Sequence, residues 1–274
     1  MGGAIPPGLP ALLVAGGYHL MGPGFSTFMF YEPYLTPRFL SSPSQAYGVM
    51  ISLPAVMLVL EVLRPRRPAP PAVWAALAVA LVGLSGAKAT FLPVFLCGAL
   101  GLWAVQLVST RRLPRATTLL VVLLAATAVF AQLVIFGGQT GALALSPFAT
   151  AEVALGSQGM GPSPGNVALM SLAMLTGWLL YGVGLVGLGR RLLDPRAIWM
   201  VVAVAVGVAA PFVLYRSGLS QLWFSRSVAE LVVLVSAWGM ARLLPRPLTL
   251  RTGARLGSLA VAAGVGAFAL SSLV

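Results

Sequence analysis

The sequence predicts an all-α, polytopic transmembrane helical bundle of seven to eight spans, and three observations carry that prediction. Of its 274 residues, 59% are hydrophobic and only 8% are charged, about a third of the ionic share of a soluble domain. The apolar residues fall in runs of about twenty, the length that crosses a bilayer core, and mean hydropathy is +0.96. Seventeen basic residues stand against five acidic ones, for a net charge of +12, and most positives sit in short clusters between the apolar runs, as topology signals do. The imbalance is therefore addressed to a membrane and not to nucleic acid.

A single integral membrane domain covers residues 1–274. Residues 9–21 (LPALLVAGGYHLM) are a candidate additional first span, short and interrupted by Gly16 and Gly17. The first strong crossing is 47–63. Residues 72–108 form one apolar stretch that would measure about 55 Å as a single helix, too long for a ~30 Å core. It must fold back near SGAKAT, giving spans at 72–87 and 89–108, with Gly83, Gly86 and Pro93 suited to the turn. The cleanest crossing is 116–136, which carries no charge. Further spans follow at 167–189, 197–215, 227–244 and 256–273.

Charge then orders the loops. RPRRPAPP, STRRLPR and RRLLDPR hold three arginines each, and Arg242, Arg246, Arg251 and Arg255 flank the last loop. Alternating crossings put all thirteen on one side, which the positive-inside rule makes cytoplasmic in a cell (plasma) membrane. The other side receives residues 22–46, the tip around Lys88, the Gly/Ser/Pro-rich loop 137–166, and the short loop 216–226.

The few ions on that outer side are the candidates for chemistry. Lys88 is the chain's one lysine; it serves either as an interfacial snorkelling residue or as an ammonium held out to an anionic headgroup. Arg216 and Arg226 bracket RSGLSQLWFSR, where Trp223 suits a membrane interface and the arginines suit a phosphate. Three cations at one surface make a lipid-phosphate-binding set: Lys88, Arg216 and Arg226. Glu230, four residues after Arg226, reads as its helical ion-pair partner, and Glu61 pairs locally with Arg64. Glu32, in the aromatic FMFYEPYLTPRFL loop, is the candidate catalytic carboxylate if it is not simply paired with an arginine; Glu152 is a second candidate, otherwise a solvated loop residue. His19 reads as a structural residue.

Absences narrow the field. One histidine, one aspartate and one cysteine (His19, Asp194 and Cys97) argue against a His-rich metal site, a Ser-His-Asp triad and any intrachain disulfide. No P-loop or HExxH motif occurs and no GxGxxG follows a strand, so neither a cofactor nor a metal is expected. Span centres are almost free of ionisable residues, which disfavours a proton-coupled pump.

Two stretches carry a resemblance. SGAKATFLPVFLCGALGLW (residues 85–103) resembles the G-A-K-x-x-x-x-P hairpin of large actinobacterial multi-pass membrane proteins. SGLSQLWFSRSVAELVVLVSAWGM (217–240) is similar to their late stretch built around S-Q-x-Y/W-F-x-R-S, and GGQTGALALSPFAT (137–150) to their intervening loop. The resemblance covers about residues 40–245. The general build of those proteins resembles the GT-C class of glycosyltransferases, which use polyprenyl-phosphate-linked sugars on the outer side of the membrane. It implies that Lys88, Arg216 and Arg226 hold the polyprenyl phosphate. GT-C enzymes carry a catalytic acid in the first external loop and usually more than ten spans. Here that segment offers Glu32 alone, so the chain reads as the C-terminal part of a longer protein.

Three functions are therefore in play: a GT-C-like glycosyltransferase or a fragment of one, a transporter or flippase for a lipid-linked or hydrophobic solute, and a non-catalytic membrane scaffold subunit. For the first, a carboxylate deprotonates the acceptor while the external cations stabilise the phosphate leaving group. The expected partners are the lipid bilayer and a polyprenyl-phosphate-linked sugar, with no nucleic acid.

Overall fold

A computed structural model describes residues 43–65, 68–138, 143–157, 161–216 and 220–243. The candidate spans at 9–21 and 256–273, with His19 and Glu32, lie outside these residues. Helix α1 (Pro43–Val62) packs against α2 (Pro71–Ala87), which starts on a proline at its first position, where a missing N–H costs nothing. Extended backbone at Lys88 (φ −157°, ψ 125°) ends α2, and α3 (Phe91–Thr110) starts three residues later. Arg111, in the left-handed region at φ 52°, stops α3 by donating its N–H to the Leu107 carbonyl. Pro114 then precedes α4 (Arg115–Phe130).

α4 runs on into a single π-helical turn, Ala131–Ile135, closed by the Phe136 N–H on the Ala131 carbonyl at 2.9 Å. Gly137 and Gly138, both at positive φ, turn the chain out. Residues 137–166, expected as an irregular loop, instead hold a strand β1 (Ala144–Leu145) and a helix α5 (Ala149–Ser157). The strand finds a partner far away in sequence, β2 (Leu214–Tyr215), antiparallel with Ala144 opposite Tyr215.

α6 (Pro164–Tyr181) is followed by a 3-10 segment, Val183–Leu193. The expected continuous span at 167–189 therefore ends early. Its second half, GVGLVGLG, has four glycines, each poor in an α-helix, and Gly189 leaves helical geometry altogether at φ 49°. The glycines serve packing instead. The Gly184 N–H donates to Ser236 Oγ at 2.9 Å, and a Cβ placed on Gly184, Gly187 or Gly239 would overlap backbone across that crossing. Backbones meet this closely only where side chains are absent, a common device in membrane helix pairs.

α7 (Pro195–Val213) is the pivot of the bundle. Asp194 caps it, accepting from the Arg196 N–H and from the Arg196 guanidinium at 2.8 and 2.9 Å. Those hydrogen bonds hold its carboxyl below the usual aspartate range. One side of α7 meets α3, where Gly98 lets the Trp199 backbone in: a Cβ there would sit 2.9 Å from the Trp199 carbonyl oxygen. Trp199 is fully buried, stacks edge-on to Phe95 at 5.2 Å and donates its indole N–H to the Phe95 carbonyl at 3.2 Å. The other side meets α8 (Leu222–Arg226) and α9 (Ala229–Leu243). The loop expected at 216–226 is thus partly helical, because Gln221–Trp223 start a turn that leads straight into the last described helix.

Among the described residues, four helical stretches are long and apolar enough to cross a membrane: Phe91–Thr110, Arg115–Ile135, Pro195–Val213 and Leu222–Leu243. Three shorter apolar helices accompany them, Tyr47–Val62, Pro71–Ala87 and Pro164–Thr176. Val79, Val108, Leu119, Val122 and Leu133 are all more than half exposed. A surface this apolar is unfavourable against water and at home against acyl chains.

α3, α4 and α7 each run between the same two ends of the bundle, about 30 Å apart at 1.5 Å per residue. At one end lie Arg64, Arg111, Arg112, Arg115 and Arg196; at the other lie Lys88, Arg216 and Arg226.

Candidate functional site

The Lys88 end holds a cavity of about 650 Å3. The α2–α3 turn contributes Lys88 and Thr90, the π-helical turn contributes Gln132 with Phe136 just beyond it, and the lead into β1 contributes Leu143. Arg216 and Ser220, between β2 and α8, and Trp223 and Phe224 of α8 complete the lining. Cations and hydroxyls thus share the space with aromatic walls, which suits an anion attached to something apolar.

Lys88 is half-buried, and its Nζ lies 4.0 Å from the Trp223 ring centroid. Burial lowers its pKa below the ordinary 10.5 of lysine because desolvation disfavours the charged form. The indole face offsets part of that cost. A second tie docks the same turn: Thr90 and Ser227 share a hydrogen bond at 2.8 Å, joining the α2–α3 tip to the α8–α9 corner.

Arg216 is exposed, and its position is set by its backbone. Its N–H donates to Gln221 Oε1 at 3.1 Å, and Gln221 Nε2 donates to Thr150 Oγ1 at 2.9 Å. Gln221 is fully buried, so this amide rivets the β2 end, α5 and the start of α8 together. The ribbon adds two backbone bonds, Ser146 to Val213 at 3.0 Å and Phe148 to Phe212 at 2.8 Å.

Arg226 takes a different position from the one its sequence neighbours suggest. It is 9% exposed and does not line the cavity. Its guanidinium carbon lies 4.4 Å from the same Trp223 centroid that Lys88 approaches, so the two cations are less than about twice that distance apart. Trp223 therefore links them, with Lys88 at the cavity and Arg226 behind its lining. Glu152 is exposed in the first turn of α5 and does not line the cavity. Glu32 lies outside the described residues, and at the opposite end Glu61 meets Arg64 at 3.4 Å.

Sequence reasoning took Trp223 as an interface anchor and did not single out Gln132. Gln132's signal was its isolation: it is the only amide in the charge-free run 116–136. Nothing local announced the π-helical turn that carries it, although such turns recur at functional sites.

A second cleft, of about 750 Å3, opens between α6, α7 and α9. Leu172, Leu175, Trp178, Val204, Val208 and Phe212 dominate its walls, with Ser171 as its single hydroxyl. It offers room for a hydrocarbon and almost nothing for a polar group. No protein-family model matches the chain, and no curated protein or solved structure matches it.

Proposed function

We propose that this chain is an integral protein of the cell membrane that holds the phosphate of a lipid-linked substrate in the Lys88 cavity, on the extracytoplasmic side. In this reading it is a GT-C-like glycosyltransferase or the C-terminal part of one, using lipid-phosphate-linked sugars. The shorter apolar helices cross alongside the four long ones, in a bundle of seven to eight spans. One observation carries the reading: Lys88 and Arg216 face a single cavity with Trp223, at the end of the bundle away from the arginine clusters. Two cations with hydroxyl and amide neighbours match a phosphate, and the aromatic walls match the first isoprene units. In the transfer reaction the cations stabilise the phosphate as it leaves, and Glu32 is the candidate base, with Glu152 a weaker one because of its distance from the lining.

The 750 Å3 apolar cleft favours a second reading, a transporter or flippase for a lipid-linked or hydrophobic solute. Two measurements test the proposal. The purified chain in detergent should bind a polyprenyl phosphate and bind the corresponding free prenol far less; equal binding of the two rejects the phosphate site. In a Cys97→Ser background, Lys88→Cys should react with an impermeant thiol reagent added outside the cell, and Arg112→Cys should not. Labelling of both from one face overturns the assigned sidedness.

A further inference from the structure

The arginine-rich end holds a smaller cavity, of about 240 Å3, enclosed by the end of α1, the later part of α3, the start of α4 and Pro195. Arg64, Arg115, Gln106 and Thr117 supply its polar groups. Their hydrogen-bonding capacity is one-sided. The Thr117 hydroxyl donates to Gln106 Oε1 at 2.6 Å, which engages one of the amide oxygen's two lone pairs. The amide's two N–H donors make no hydrogen bond among the described residues. Arg115 makes no ion pair among them either, and Arg64 is held only by the half-exposed Glu61 at 3.4 Å. A wall of guanidinium and amide donors whose acceptor is already partly engaged fits an anion.

Size and position narrow that anion. The cavity accommodates a phosphate group, and it lies where α3 ends and α4 and α7 begin, the depth of lipid headgroups. Among the described residues Arg64, Arg111, Arg112, Arg115 and Arg196 gather at this end, against Glu61 and Asp194. Asp194 is already engaged by Arg196 at 2.8 Å. Beside the cavity, Val108, Leu113 and Leu119 are 79%, 66% and 56% exposed, an apolar surface for acyl chains.

The geometry points to a second lipid site, separate from the Lys88 cavity: the phosphodiester of an anionic phospholipid sits against Arg64, Arg115 and Gln106. Basic pockets between membrane helices on the cytoplasmic side bind such headgroups, and the arginine clusters here do more than set topology.

The test uses the full chain in detergent with phosphatidylglycerol or phosphatidylcholine, counting bound lipid by native mass spectrometry. Phosphatidylglycerol should be retained in preference to phosphatidylcholine. The double variant Arg64→Gln/Arg115→Gln should lower that retention roughly tenfold or more, while Arg242→Gln leaves it unchanged. Equal retention of the two lipids, full retention in the double variant, or an equal loss in Arg242→Gln overturns the proposal. Displacement of the lipid by inorganic phosphate at comparable concentration assigns the site to the free ion and overturns the lipid assignment. If the double variant fails to fold, the wild-type melting temperature decides: it must rise more with phosphatidylglycerol than with phosphatidylcholine. Arg64 and Arg115 do not line the Lys88 cavity, so the loss in the double variant reads this site alone, and failure at either cavity leaves the other standing.

Discussion

Replacing Lys88 by Gln removes one charge from the cavity while keeping a side chain of similar reach and polarity. If the Lys88 ammonium donates to a bound phosphate, the lost charge-assisted hydrogen bond costs about 1.5–3 kcal/mol, or roughly a 10- to 150-fold weaker Kd. The fold itself should lose little. The contact with Trp223 at 4.0 Å is worth about 0.5–1 kcal/mol at a partly exposed site, and the desolvation cost of burying the ammonium disappears with the charge. Equilibrium binding of a polyprenyl phosphate in detergent reads the loss, with the free prenol as reference. Salt gives a second handle. Lys88 is half-buried and Arg216 exposed, so raising ionic strength should erode the contribution of Arg216 and largely spare that of Lys88. An unchanged phosphate-to-prenol ratio in Lys88→Gln, or an equal loss of both ligands, refutes the assignment.

Two further outcomes are expected. Gly239→Ala puts a methyl group into the Gly184 carbonyl and within 3.3 Å of Leu188 Cγ; overpacking and loss of the Gly184–Ser236 hydrogen bond together should cost about 2–4 kcal/mol, seen as a lower Tm in detergent, and an unaltered Tm contradicts the crossing. Phosphate binding should weaken as pH rises through the lowered pKa of Lys88, below the ordinary 10.5, and Lys88→Gln should lack that limb. The sign for stability is opposite: the fold favours neutral Lys88, so its cost is present at lower pH and is relieved as pH climbs toward 10.5.

Much of the architecture was legible because membrane helices are specified by composition and length. The run 116–136 is apolar on every side and needs no neighbour to declare it a helix in lipid. The fold-back at Lys88 followed from length alone, since 72–108 is too long for one crossing. What failed was local detail inside apolar or glycine-rich sequence. Residues 182–189 look hydrophobic enough to continue a span, yet their glycines close against Ser236 and Gly239, fifty residues on, and the segment becomes 3-10. The loop 137–166 acquired a strand because β2 lay in register with it, information carried by neither segment alone.

The site divides along the same line. Sequence by itself determined which residues were available: one lysine, two lone arginines and a tryptophan between them, with charge spacing sorting them away from the arginine clusters. Only tertiary structure decided their roles. Lys88 and Arg216 are 128 positions apart in the chain and share a cavity because α2–α3 docks on the α8 corner while Gln221 fixes the β2 end. Arg226, one turn from Trp223, is turned behind the lining by that same helix. Helix formation in a bilayer is a short-range matter of backbone satisfaction and hydrophobic length, whereas the direction a polar side chain faces depends on which distant helix fills the space beside it.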